Sequence, residues 1–381
     1  MRTRTSTRPA LAAAAAALAL LAAPARASFD APLATPQSAA MGGASLAGIG
    51  DSAALFLNPA AAARLEHPEA YFMYNQLYTG LKGAGGIGQG FASFGVPTKY
   101  GTLAAGYGEF QATGLVDERV VGLSYSRTLF GVLDAGVTGK YLSHSYNVGS
   151  DPLAASDPVF AHGTGRGALS LDAGVIASLS DSLKAGVAVR NINEPDVGLA
   201  SLDRVPREIQ AGLKYDITAW ALRLTADYVY RDVPSGTFAE RAVPSVGLEK
   251  GFMNDAVRFR AGATPDTFTG GVGIRVGPVD FDYAFVLTRG LMANNAGSQQ
   301  AGFRYRFGGP SKTDKTEKQR EEAASGAAPS AQAAVLAPAP APQPGPVTAP
   351  APLPAAAQPA VTTVPGSAVE GLPPPDPAGG Q

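Results

Sequence analysis

Residues 279–288, VDFDYAFVLT, and residues 298–307, SQQAGFRYRF, decide the fold of this chain. In the first stretch Val279, Phe281, Tyr283, Phe285 and Leu287 share one face, with Asp280, Asp282 and Thr288 opposite. In the second, Phe303, Tyr305 and Phe307 share a face, with Gly302, Arg304 and Arg306 opposite. Successive side chains of a strand point to opposite sides, so this period of two marks strands with one apolar and one polar face. Working outward, Ile209, Ala211, Leu213 and Tyr215 alternate with Glu208, Gln210, Lys214 and Asp216. Leu222, Leu224, Ala226, Tyr228 and Tyr230 alternate with Arg223, Thr225 and Asp227. No amphipathic helical repeat interrupts the run between Pro68 and Phe307.

The alternation predicts fourteen strands, near 69–80, 89–97, 101–112, 118–129, 132–147, 167–180, 183–193, 207–217, 221–231, 242–252, 256–264, 268–277, 279–290 and 298–307. Their connections follow a two-beat rhythm. Tight ones, such as Phe130–Gly131 and Gly277–Pro278, alternate with mostly longer ones, such as 148–166, 194–206 and 232–241. Short turns at one end and long loops at the other predict an all-β, up-and-down antiparallel transmembrane barrel.

Which face is outside follows from energetics. The polar face carries Asp134, Lys140, Asp172, Lys184, Arg190, Arg223, Asp227, Glu249, Arg258 and Arg260 besides the four ions quoted above. Packing so many ions into a dry core costs several kcal/mol each unless every one is paired. Facing a wet or plugged lumen they are tolerated, and opposite signs on neighbouring strands can pair. Asp280 and Asp282 are therefore expected to meet Arg304 and Arg306, and the apolar face to meet lipid.

The ends differ from the middle. Residues 1–27 have the form of a secretory signal peptide: Arg2, Arg4 and Arg8, an Ala/Leu run, then Ala25-Arg26-Ala27 before the expected cleavage. Residues 28–67 precede the barrel, which is assigned to 68–307. Residues 308–381 hold more than half of the 31 prolines and no Phe, Tyr or Trp, so they cannot bury enough apolar surface to order themselves. An extended Ala/Pro-rich spacer is expected, hanging in the periplasm. An even strand count places both termini on that side.

Within the leading segment, Ser38–Arg64 reads SAAMGGASLAGIGDSAALFLNPAAAAR. Its small side chains suit a backbone packed closely inside a lumen, and Pro59 suits the first position of a short helix. Met41-Gly42-Gly43-Ala44, Gly50-Asp51-Ser52-Ala53-Ala54 and Asn58-Pro59-Ala60 together resemble the N-terminal signature of PorV/PorQ proteins, within the superfamily of FadL-type outer-membrane transporters. The resemblance spans 28–307. It implies a 14-stranded outer-membrane barrel with an N-terminal hatch in the lumen. Asn58, Pro59 and Ala60 would form the hatch turn, and Gly42 and Gly43 would permit its close packing. The last strand, Phe303 to Phe307, is similar to the aromatic C-terminal signal read by the outer-membrane barrel assembly machinery. The resemblance implies either PorV-like service in type IX-like protein secretion, with a translocon as partner, or FadL-like passage of hydrophobic small molecules. A third reading is structural, with the tail tethering the barrel to periplasmic partners.

Other chemistry is not expected. The 30 Lys+Arg balance 31 Asp+Glu, which excludes a strongly basic nucleic-acid binder. With no Cys there are no disulfides or thiolate sites. The GxGxxG match at 83–88 runs into a strand rather than a helix, so it reads as a surface loop. His67, His144 and His162 lack metal-ligand spacing, no hydrolase motif is present, and neither enzyme activity nor a cofactor is expected. The segment Asn191–Asp196, NINEPD, is expected to fold over the barrel mouth.

Overall fold

A computed structural model describes residues 29, 33–80, 86–112, 114–149, 152–232, 241–289 and 297–308. The expected signal peptide and Ala/Pro-rich tail lie outside the described residues.

Fourteen antiparallel strands close into one barrel: β1 Glu69–Gln76, β2 Ile87–Thr98, β3 Gly101–Ala112, β4 Val116–Leu129, β5 Leu133–Tyr146, β6 Gly165–Ser178 and β7 Leu183–Arg190, followed by β8 Glu208–Ile217, β9 Leu222–Arg231, β10 Ala242–Phe252, β11 Val257–Ala263, β12 Thr267–Val276, β13 Val279–Thr288 and β14 Ser298–Arg306. Each strand pairs with its sequence neighbours, and β1 closes on β14 through Glu69↔Arg306 to Gln76↔Gln299. Closure leaves no open edge, which a sheet surrounded by lipid requires. The principal difference from the expected limits is the upper end of β1, which stops at Gln76 rather than at residue 80. Tyr78 beyond it has a positive φ of 50° and turns out of the ladder.

The faces are inverted relative to a soluble barrel. Phe72, Leu103, Leu123, Val137, Leu171, Phe259, Phe281 and Phe303 are exposed on the outside. Asp134, Lys140, Asp172, Arg190, Glu249, Arg258, Arg260, Asp280, Asp282 and Arg304 are buried inside. Tyr100, Phe130, Trp220 and Phe252 stand exposed near the short-turn rim, a girdle typical of the membrane interface. Among the described residues no helix is long and apolar enough to cross a membrane.

The segment before β1 is threaded through the lumen. Phe29 lies beside His144 near the long-loop end of β5, and Arg64 reaches Asp134 at the opposite end. Between them lie one helical turn, α1 (Pro36–Ala40), and two 3-10 segments, Ser52–Phe56 and Pro59–Arg64. Thr35 caps α1 by accepting from the Ser38 N–H, and Asn58 caps the last segment by accepting from Ala60 N–H. The end of β14 lies at the short-turn side, whereas Phe29 lies at the long-loop end. Strand parity fixes where β1 begins; it says nothing of the path taken by the residues before it.

Candidate functional site

The site is the filled lumen: a hatch of residues 33–66 lying against an inner wall that is apolar on one side and ionic on the other. On the apolar side Tyr71 and Met73 of β1, Phe91 of β2 and Ala104 of β3 point inward against Ala53, Leu55 and Phe56 of the hatch. Phe91 stacks on Tyr71 at 5.4 Å and meets Phe56 edge-on at 5.8 Å. These inward aromatics were missed by sequence reasoning, which assigned the whole apolar face to lipid. Their signal was present, because Tyr71, Met73 and Phe91 fall on the parity of the polar positions Glu69, Asn75, Gln89 and Ser93.

On the ionic side Asp280 is the centre. Its two oxygens take charge-assisted hydrogen bonds from Arg304 (Nε, 3.1 Å), Arg258 (Nη2, 3.0 Å) and Arg275 (Nε, 2.9 Å), and Arg306 Nη2 lies 3.1 Å away. The expected pairing of Asp280 with Arg304 and Arg306 is thus present. Asp282 departs from expectation. It pairs with Arg260 at 2.6 Å and lies 4.0 Å from Arg258, because Gly302 stands opposite it on β14 and Gly273 on β12. The guanidinium of Arg260 crosses the gap left by Gly273, where a Cβ would come within 2.8 Å of its Nη1. Arg260 also holds Glu249, which Arg223 shares at 2.7 Å. Lys140–Asp172 and Arg190–Glu208 continue the network around the wall. The inner charges are therefore largely neutralised by one another.

The hatch is tied to both sides by polar bonds, among them those of Thr138 to the Leu55 carbonyl and Arg190 to the Phe56 carbonyl. Asp227 of β9 accepts from the Ser45 and Leu46 N–H groups at 2.8 and 2.9 Å. Thr269 donates to the Ala40 carbonyl, and Glu69 accepts from Ser52 N–H. The Ser52 and Ser93 hydroxyls meet at 2.9 Å. Asp51 lies 3.4 Å from Arg304 Nη1. Burial nevertheless outweighs that guanidinium and, with the nearby carboxylates of Glu69 and Asp282, pushes the Asp51 carboxyl up to about 7.

Asn58, Pro59 and Ala60 form a buried turn. Asn58 Nδ2 donates to the Leu46 carbonyl while its Oδ1 caps Ala60, so one side chain joins two limbs of the hatch. The turn rests on Gly136 of β5 and its register partner Gly174 of β6. A Cβ at Gly136 would sit 2.5 Å from the Pro59 carbonyl carbon, and one at Gly174 would overlap Asn58 Oδ1. Gly106 and Gly122, also register partners, lie likewise under Leu55 and Phe56. The chain has 46 glycines, and nothing in their spacing along the sequence marks this track. Its members become neighbours only through pairing between strands. Gly42 makes the expected close approach: a Cβ there would sit 2.9 Å from Ala263 N. Gly43 does not: nothing lies within 4 Å of its Cβ position, and its requirement is a φ of +82°.

At the long-loop end the 191–207 connection turns inward, as the NINEPD segment suggested. Asn191 donates to the Pro206 carbonyl, and Asn193 bonds both backbone groups presented by Leu169 and Leu171, where β6 extends past its pairing with β7. Val197 and Val205 are thereby buried on Leu142, with Phe29 packed against them. Asp196, which accepts from Gly198 and Asp203 N–H groups, is held below the usual carboxylate range by those bonds. At the other end a polar cavity of about 180 Å³ opens between Gln37 and Met41 of the hatch and Lys214, Arg223 and Arg258 of the wall. Phe303, Tyr305 and Phe307 face outward, Phe307 packing on Tyr305 at 4.8 Å and on Phe94 at 5.9 Å. No cluster of three metal-ligating side chains occurs among the described residues.

No protein-family model matches this sequence, and no curated protein does. Solved structures do match, at the level of fold. The toluene transporter TbuX of Ralstonia pickettii superposes with a TM-score of 0.54 at 16% identity, over 74% of this chain and 100% of that one. The monoaromatic hydrocarbon channel CymD gives 0.53 at 16%, over 74% and 99%. A FadL homologue of Pseudomonas aeruginosa gives 0.50 at 13%, over 73% and 99%. The class they define with this chain is one of fold, a closed 14-strand antiparallel β-barrel. The likeness is one of architecture and extends over nearly the whole of each of those chains.

Proposed function

We propose that this protein is an outer-membrane channel for small hydrophobic molecules, with the hatch as its movable stopper. The observation that carries this reading is the apolar slot beneath the hatch, where Leu55 and Phe56 rest on Tyr71, Met73 and Phe91. When the hatch withdraws those two side chains, it exposes an apolar surface inside a barrel whose ionic wall is already internally paired. A neutral apolar solute then gains contact without stripping a charge of its partner. The fold shared with TbuX, a toluene transporter, and CymD, a monoaromatic hydrocarbon channel, supports this reading. The test is whole-cell uptake in a Gram-negative host, comparing a neutral monoaromatic hydrocarbon with a sugar of similar size. Expression of the chain should accelerate the hydrocarbon alone; equal rates with and without the protein would overturn the reading.

A second reading, PorV-like service in protein secretion, draws on the Met41–Ala44, Gly50–Ala54 and Asn58–Ala60 signature. It requires translocon proteins to co-purify with the barrel in mild detergent. The assembly machinery as a partner, and a periplasmic location for the tail, belong to the same outer-membrane reading.

A further inference from the structure

The lipid-facing wall is not uniformly convex. Near the short-turn rim, the outer faces of β4 to β7 enclose a groove of about 600 Å³, almost entirely apolar. Ala135 and Ala173 form its low ground, and Tyr125, Leu129, Val137 and Val187 form its sides. Leu129 is the last residue of β4 before the turn, and Tyr125 donates to the Tyr100 carbonyl in the neighbouring turn at 2.6 Å. The groove therefore starts at the membrane interface and leads into the hydrocarbon.

One cation stands at its mouth. Arg127 lines the groove and is exposed, with no ion pair or hydrogen bond to any described residue. Two other outward cations at this rim are provided for within the protein: Lys250 donates to the Trp220 carbonyl and lies 5.4 Å over the Phe252 ring, and Lys99 lies 4.9 Å over the Tyr100 ring. A guanidinium is the side chain best matched to two oxygens of a phosphate, and at this depth the phosphates present are those of lipid headgroups.

We propose that this groove is a binding site for one glycerophospholipid of the leaflet at the short-turn side, its phosphate on Arg127 and one acyl chain along Ala135 and Ala173. The proposal does not depend on what passes through the lumen, although Gly136 and Gly174, which bear the hatch turn on the inner side, also line the groove. The purified, delipidated barrel in mild detergent would be titrated with phosphatidylglycerol and, separately, with a diacylglycerol bearing the same chains. Native mass spectrometry would read the occupancy. One phosphatidylglycerol should be retained per barrel, and diacylglycerol should not. Arg127→Gln, which removes the cation from an exposed position, and Ala173→Trp, which fills the groove and leaves the cation, should each lower occupancy at least about tenfold, while Arg127→Lys restores part of it. Heat-modifiable migration checks that each variant is a closed barrel. Undiminished occupancy in Arg127→Gln, or equal retention of diacylglycerol, overturns the proposal, and Arg127→Gln alone decides it should Ala173→Trp fail to fold.

Discussion

Fastening the hatch to the wall tests whether it must move. Ser52 of the hatch and Ser93 of β2 place their hydroxyl oxygens 2.9 Å apart and are both buried. A disulfide needs sulfurs about 2.05 Å apart with Cβ atoms about 3.5–4.5 Å apart, which side chains already in contact can supply. The chain has no Cys, so Ser52→Cys/Ser93→Cys introduces a single pair with no rival partner. The two positions are 41 residues apart in sequence. Closing a loop of that size removes chain entropy worth about 4 kcal/mol, which adds to the hatch-docked state and excludes any state in which Ser52 leaves Ser93. The reduced variant loses one buried hydroxyl pair, about 1 kcal/mol, and should behave nearly as the parent. Uptake of a hydrophobic fluorescent probe would be followed in cells carrying the oxidised variant, then after a membrane-impermeant reductant, with Ser52→Cys alone as control. Oxidation should bring uptake down to that of cells lacking the barrel, and reduction should restore it. Parental uptake with the disulfide demonstrably formed would refute a stopper that moves at this point.

Three other outcomes follow from the same geometry. Asp51 carries a pKa raised to about 7 where an unfolded Asp has 3.8, so the docked hatch binds a proton more tightly than the undocked chain. The contribution is full below about 4 and is lost as pH rises through 7, so hydrogen-exchange protection factors across residues 45–60, with the intrinsic base-catalysed rate divided out, should be higher at pH 5.5 than at pH 8, and Asp51→Asn should flatten that difference. Gly174→Leu puts atoms where Asn58 Oδ1 sits, so it should loosen the hatch and raise ion conductance in planar bilayers while heat-modifiable migration stays parental. Asp280→Asn leaves Arg258, Arg275, Arg304 and Arg306 facing a neutral amide; at about 3–5 kcal/mol for a broken buried ion pair, its guanidinium unfolding midpoint should fall clearly.

The alternation in residues 279–288 and 298–307 was enough to orient the wall. Strand parity is a local property, so every ion assigned inward, from Asp134 to Arg306, does face the lumen. The turn rhythm set the strand count for the same reason: each tight connection joins two strands adjacent in both sequence and space. Asp280 with Arg304 was legible because β13 and β14 are consecutive and Asp280 stands opposite Arg304.

What needed the tertiary structure lies across the lumen or around the wall. Asp282 is matched by Arg260, two strands away, because Gly273 leaves room for a long side chain to cross, and strand parity carries no such reach. Gly136 and Gly174 acquire their role only when the β5–β6 register sets them together under Pro59 and Asn58. Tyr71, Met73 and Phe91 break the rule of polar-inward positions because the hatch brings its own apolar residues to meet them. The path from Phe29 down to Arg64 is likewise invisible to any periodicity, since a segment without a regular repeat takes its direction from the surfaces that it fills. Local alternation thus determined the wall and its two faces, and closure of the barrel decided what the lumen holds and which charges answer one another.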